Sequence, residues 1–491
     1  MSNTASPVPV EEATPAKGGL DRFFEISARG SRVSNEMRGG LVTFVAMAYI
    51  VVLNPIILSG SPDVDGNSLE FTQVAAVTAF TAGAMTILFS LVARLPFAFA
   101  AGLGINSFLA VSVVGQVTWP EAMGLVVVNG LLIVLLAATG LRTLIFNAVP
   151  MQLKTAITVG IGLFIAFIGF VDAGFVTSTG VASPPVGLGI DGSVATVPTL
   201  LFIVTLLLSG VLLALKVRGA LLIGLATGTV LSVIVEAIWN IGPKFGADGA
   251  VNPGGWGLTV PELPSQLIAL PDLSLIGQFD IVGAFSRIGA LAAVMLVFTL
   301  LFTNFFDAMG TFTGLSREAE LADAKGNFPR LRAALIVEGV GAVAGGATSS
   351  SSNTVFIESG AGIGEGARTG LASLVTGGLF LLAMFFTPLT AMVPSEIAAA
   401  ALVLVGAMMM SQIRHVDLTD MTVTIPVFLT ISVMPFTYSI ANGIGAGFIA
   451  GVVLQTFAGK AKRVHPLLWI VAAGFVVYFA RGPIESAMGI I

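Results

Sequence analysis

Residues 349–364 read Ser349-Ser350-Ser351-Ser352-Asn353-Thr354-Val355-Phe356-Ile357-Glu358-Ser359-Gly360-Ala361-Gly362-Ile363-Gly364. The residues on either side are apolar enough to sit in a bilayer; this stretch is not. Its first half favours extended backbone, because Ser and Thr compete for helix hydrogen bonds and Val355 and Phe356 suit strands. Its second half can start a helix with Glu358 in the first turn, where the helix dipole stabilises an anion. An extended run leading into a half-helix at membrane depth is tolerated only where it is buried in protein or lines a cavity. A carboxylate there marks a functional site by default. The competing reading is a polar loop outside the bilayer, and the length of the flanking apolar spans argues against it.

Composition sets the same frame. Of 491 residues, 55% are hydrophobic and 10% charged, against about 25% charged in ordinary soluble domains. The chain reads as an all-α polytopic membrane protein. The 58 glycines fit helices that pack closely or break. With no Cys, disulfides, thiolate catalysis and Cys-based metal sites are excluded. His415 and His465 are the only two His residues, too few for a His-rich metal site. No His-Glu-x-x-His or Gly-x-Ser-x-Gly motif is present, which argues against an intramembrane enzyme. No cofactor, metal or nucleic-acid partner is expected. The first twenty residues lack an apolar h-region and read as a disordered tail. Arg22, Arg29, Arg32 and Arg38 precede the first span, which places the N-terminus in the cytoplasm by the positive-inside rule.

Stretches of about 20 mostly apolar residues then follow in order. Spans are expected at 39–58, 71–92, 95–116, 121–141, 151–171, about 198–215 and 220–241. A long polar loop, about 242–280, divides the chain; it holds Trp256 and Pro261-Glu262-Leu263-Pro264 and reads as including an interfacial segment. The second half gives 288–315, 333–347, the broken element at 349–364, then 369–389, 397–410, 421–440 and 443–457. Lys216 and Arg218, the loop from Ser316 to Arg332, and Lys460, Lys462 and Arg463 mark cytoplasmic turns. The last apolar stretch, 466–480, either crosses, lies in the interface or folds on its neighbours. The count is about 14 spans, seven in each half. In each half the third element is short, Gly-interrupted and polar inside, the sequence pattern that points to a transporter site. An odd number of spans per half inverts one repeat relative to the other, bringing the two half-helices nose to nose.

Three polar residues within the spans carry the chemistry: Glu358, Asp307 in Phe305-Phe306-Asp307-Ala308-Met309-Gly310-Thr311, and Asn106 in Gly102-Leu103-Gly104-Ile105-Asn106. Two carboxylates and a carboxamide can exchange hydrogen bonds with a planar heterocycle. A carboxylate at membrane depth, costly as an anion, is also a usable proton carrier. Asp307 neutralised by a local hydrogen bond, and Asn106 as interhelical glue, are the plainer alternatives. Glu236 and Glu338 read as residues at span ends with no special role.

These motifs, with Met47-Ala48-Tyr49-Ile50-Val51-Val52-Leu53-Asn54-Pro55, Pro96-Phe97-Ala98-Phe99-Ala100-Ala101 and Ser352–Gly362, resemble the nucleobase–cation symporter-2 (nucleobase–ascorbate transporter) family. Within it they resemble the AzgA-like branch of adenine, guanine and hypoxanthine permeases. The resemblance covers about Phe23 to the C-terminus. It implies two intertwined inverted repeats of seven spans, short strands before half-helices 3 and 10 and a homodimer. A plasma-membrane location is expected, and a core that carries both half-helices and Asp307 against an almost purely apolar gate leads to the expectation of an elevator-type mechanism. The implied division is a tail at 1–22, a core domain at 23–142 and 285–392, a gate domain at 143–245 and 393–491, and an extracellular linker at 246–284. It also implies proton-coupled import of a purine nucleobase. Carried over, Glu358 is the substrate-binding carboxylate and Asp307 the second essential acid, both in proton coupling. Leu103, Gly104 and Asn106 line the base, Phe356 offers an aromatic wall and Ile357 a backbone donor. Thr43, counted among the substrate-binding residues, and Thr311 stand where related transporters carry His, so a His proton relay is unavailable. The alternative within the same fold is an anion exchanger or channel of the sulfate/bicarbonate type. It suits the residues poorly, because Glu358 and Asp307 repel an anion.

Overall fold

A computed structural model describes residues 18–141, 148–181, 183–190, 192–245, 251–322 and 328–480 of the chain. Most of the expected N-terminal tail, Arg142, Lys325 and the last eleven residues (481–491) lie outside them. A short helix, α1 (Gly19–Phe24), leads into the first span, which is two helices, α2 (Val33–Met47) and α3 (Ile50–Ser59), joined at Ala48 and Tyr49. Pro55 lies inside α3 and has no N–H to return to the preceding turn. Next come α4 (Phe71–Val92), β1 (Phe99–Ala101), α5 (Leu103–Phe108), a π-turn over Leu109–Val113, and α6 (Trp119–Thr139). Then follow α7 (Met151–Asp172), the hairpin β2 (Val176–Ser178) and β3 (Val186–Leu188), α8 (Val197–Ala214) and α9 (Ala220–Trp239).

The second half repeats this order. A short α10 (Gly283–Arg287) precedes α11 (Ala290–Glu318), α12 (Leu331–Ala347), β4 (Asn353–Val355), α13 (Ser359–Gly364) and α14 (Gly370–Ala383), which a 3₁₀ turn carries on to Thr390. The chain then runs through α15 (Ser395–Met410), α16 (Met421–Phe436), α17 (Ile440–Gln455) and α18 (Pro466–Phe479). Among the described residues, ten helices are long and apolar enough to cross a membrane. The fold is that of an all-α polytopic membrane protein with short strands, and the third and tenth elements are the broken ones. The loop after α9 is anchored by Trp256. Trp256 is fully buried, and its indole N–H donates to Glu236 at 2.7 Å. Glu236 also accepts from the N–H groups of Ile241 and Gly242, which ties the end of α9 to this loop.

Helices meet closely where glycines replace side chains. A Cβ on Gly406 of α15 would lie 2.4 Å from the Gly162 carbonyl of α7, and one on Gly130 of α6 would lie 2.4 Å from the Val343 nitrogen of α12. Such contact needs small residues at the crossing. Polar termini are satisfied across helices as well. Fully buried Glu36 of α2 accepts from the backbone N–H groups of Arg368, Thr369 and Ala372, capping α14 from outside its own chain segment.

Candidate functional site

The centre of the site is a two-stranded ladder. β1 and β4 pair antiparallel, with Phe99 opposite Val355, Ala100 opposite Thr354 and Ala101 opposite Asn353. The ladder continues at both ends: Gly102 N–H donates to Ser352 O, and Phe356 N–H donates to Ala98 O, each at 2.9 Å. Because the strands are antiparallel, α5 and α13 leave the ladder in opposite directions. Extended backbone at membrane depth is thus satisfied by its symmetry mate. Ser359 locks the second junction, accepting from Ala98 N–H at 3.0 Å and donating to Phe356 O at 2.7 Å. Polar side chains around the serine run are used in the same way. Asn54 donates to Thr78 Oγ1 and Ser350 O, and Asn304 donates to Ser352 Oγ.

Glu358 occupies the residue just before α13, with helical backbone angles and no side-chain capping bond, and is partly exposed. Its Oε1 accepts from the hydroxyl of Tyr49 at 2.5 Å. Tyr49 is fully buried, so the ring that carries this hydroxyl is held in place by its surroundings. Asp307 lies mid-way along α11, partly exposed. Glu358 and Glu338 both lie within electrostatic range of it. Carboxylates from α11, α12 and the start of α13 therefore interact electrostatically through Asp307.

Asn106 sits in α5, fully buried, and neither its Nδ2 nor its Oδ1 has a hydrogen-bond partner among the described residues. An amide buried this way costs free energy unless a ligand or water completes it. Leu103 and Phe356 are buried beside the ladder, whereas Ile357 is 51% exposed. Gly104 makes room for a neighbour: a Cβ there would lie 2.8 Å from Ile161 Cγ2 of α7. Thr43 packs behind α13, its Oγ1 lying 2.2 Å from where a Cβ on Gly362 would stand. Thr43 is thus tied to the half-helix by its back.

Two residues of the cluster escape a reading by sequence. Glu338 was expected at a span end; it lies near the middle of α12 and is fully buried. The physical reason is that α12 starts at Leu331 and takes Arg332 into its first turn, which sets Glu338 two turns into the helix. Tyr49 stands in an apolar run, and only its partner on another span gives its hydroxyl a purpose.

Comparison with known proteins is consistent across the chain. Residues 34–446 match the Permease family. A guanine/hypoxanthine permease of Bacillus subtilis, PbuG, is 36% identical over 94% of this chain and 99% of its own. An adenine permease of Escherichia coli, AdeP, is 33% identical over 94% of this chain and 96% of its own. Among solved structures, the transmembrane domain of the cyanobacterial bicarbonate transporter BicA superposes with a TM-score of 0.57 at 15% identity, covering 86% of this chain and 96% of that one. The murine anion transporter Slc26a9 in its inward-facing state gives 0.56 at 10% identity, covering 91% and 73%. At such identities these two structures speak for the fold alone.

Proposed function

This chain belongs to the nucleobase–cation symporter-2 family, in its AzgA-like branch, and we propose that it imports purine nucleobases in symport with protons. It is a multi-pass membrane permease and not an enzyme. Relatives that are guanine/hypoxanthine and adenine permeases along nearly their whole length support purine nucleobases as the substrate. The observation that carries the reading is the electrostatic interaction of Asp307 with Glu358 at the start of α13, with the unpartnered carboxamide of Asn106 on the other half-helix, α5. Glu358 accepts N–H groups from the purine edge, and Asn106 serves a ring acceptor or donor by turning its amide. Leu103, Gly104, Phe356 and Ile357 shape the cleft, and Thr43 supports α13 from behind.

Coupling falls to Asp307 in this account. Glu358 stands at a helix start, where the dipole favours an anion; Asp307, mid-span, has no such support. A proton taken up from outside neutralises Asp307 and completes a site for a neutral base. Its release inside restores the charge and disfavours return with cargo. The gradient and the membrane potential drive the cycle, the latter worth about 2.3 kcal/mol per charge per 100 mV. We take residues 23–142 and 285–392 as the core that carries the site, and 143–245 and 393–491 as the gate, in a homodimer in the plasma membrane with its N-terminus in the cytoplasm. The core slides as a rigid body against an apolar gate. An anion exchanger shares this fold, but three clustered carboxylates oppose an anion. Competition of labelled hypoxanthine uptake by adenine, guanine, xanthine, uracil and sulfate tests the reading. Competition by purines and none by sulfate supports it; the reverse overturns it.

A further inference from the structure

The geometry points to Tyr49 as a positioning residue that sets which face of the Glu358 carboxylate meets the base, and so which base edge is preferred. This rests on the purine reading above. The hydroxyl of Tyr49 donates to Glu358 Oε1 at 2.5 Å, and the ring that carries it is fully buried at the joint between α2 and α3. Backbone bonds on both sides of that joint, from Ala48 N–H to Phe44 O on the α2 side and from Val51 to Ala48 O and Val52 and Leu53 to Tyr49 O on the α3 side, fix the ring's origin. Glu358 makes no capping bond of its own to α13, so Tyr49 is the side chain that orients it.

A carboxylate offers two oxygens, and a two-donor partner uses both at once. With Oε1 engaged by Tyr49, Glu358 presents Oε2 to incoming N–H groups. That arrangement suits an edge with a single N–H beside a carbonyl, as in hypoxanthine. It is less suited to guanine, whose N1–H and 2-amino group together match a free carboxylate. Removing the Tyr49 hydroxyl frees Oε1 and lets the carboxylate turn. The KM for hypoxanthine then rises by about ten-fold, the scale of one charge-assisted hydrogen bond. The KM for guanine rises less, and Vmax falls less than KM rises for both.

The test uses Tyr49→Phe, which keeps the ring, in the full-length transporter in proteoliposomes. A hypoxanthine-to-guanine KM ratio moved several-fold toward guanine is the expected result; a ratio equal to the parent's overturns the proposal. A second measurement does not depend on transport. The chain has three tyrosines, so 3-fluorotyrosine labelling gives three ¹⁹F lines, and Tyr49→Phe identifies one. If that variant does not fold, Tyr438→Phe and Tyr478→Phe identify it by elimination. The Tyr49 line shifts on Glu358→Gln without any purine present. A line indifferent to Glu358→Gln overturns the contact itself. A parent that takes up no purine while the line still responds overturns the substrate reading and leaves the contact standing.

Discussion

Arg218, in the turn between α8 and α9, is ion-paired with Glu365 at the end of the half-helix α13, and Arg38 reaches the other oxygen of the same carboxylate at 2.8 Å. The Glu365 side chain is only 6% exposed. The pair joins the proposed gate to the proposed core on the side where the basic turns lie. Beside it, a Cβ on Gly219 would come within 2.6 Å of Val45 Cγ1, so the two bodies touch there.

An elevator needs this latch to open. Arg218→Ala leaves Arg38 to hold Glu365 while releasing the gate. A single Val45→Cys in the Cys-free chain then reacts several times faster with a membrane-impermeant thiol reagent applied from the Arg218 side. Labelling at the parent rate argues that the latch does not separate the two bodies.

Glu358→Gln keeps shape but turns one acceptor oxygen into a donor. Purine binding falls by at least about a hundred-fold, the upper range for one charged hydrogen bond, with the folded yield retained. Asn106→Ala weakens binding or re-ranks the purines. A Gln variant of parental affinity excludes Glu358 as the base acceptor, and an Ala variant that handles every purine as the parent does reduces Asn106 to interhelical glue.

Gly104 lies against Ile161 across the same proposed boundary, so in the proposed elevator its lack of a side chain serves sliding as well as substrate access. Gly104→Ala impairs translocation, and Ile161→Ala in the same chain restores it by removing the atom in the way. Failure of that rescue places the Gly104 requirement on the substrate side instead.

Glu36→Ala strips three backbone donors at the start of α14 of their acceptor. The expected loss is roughly 3 kcal/mol of stability, seen as a lower unfolding temperature in detergent. Glu36→Gln keeps an acceptor oxygen and loses less. Equal loss in both variants shows that charge rather than hydrogen bonding does the capping.

The order of spans was legible because apolar length and basic turns leave few choices, and the broken elements stood out because Ser, Asn and Gly interrupt them. The ladder at Phe99–Ala101 and Asn353–Val355 followed from the family resemblance more than from propensity, since three residues are too few for a periodic signal. Glu338 was misread because Arg330 and Arg332 look like loop, although α12 begins at Leu331. The Tyr49–Glu358 contact joins residues far apart in sequence and leaves no local trace. The hairpin at Val176–Ser178 and Val186–Leu188 hid in a Gly/Ser/Pro-rich loop.

The central claim is that Asp307 carries the coupled proton. Purine accumulation by proteoliposomes under an imposed pH gradient, with and without a protonophore, tests it most directly in the parent and in Asp307→Asn. The Asn side chain resembles the protonated acid, so this variant should bind purine and exchange it but not concentrate it, while the parent concentrates purine only with the gradient intact. An Asp307→Asn variant that still accumulates purine against its gradient, or a parent driven by sodium instead of protons, contradicts the account.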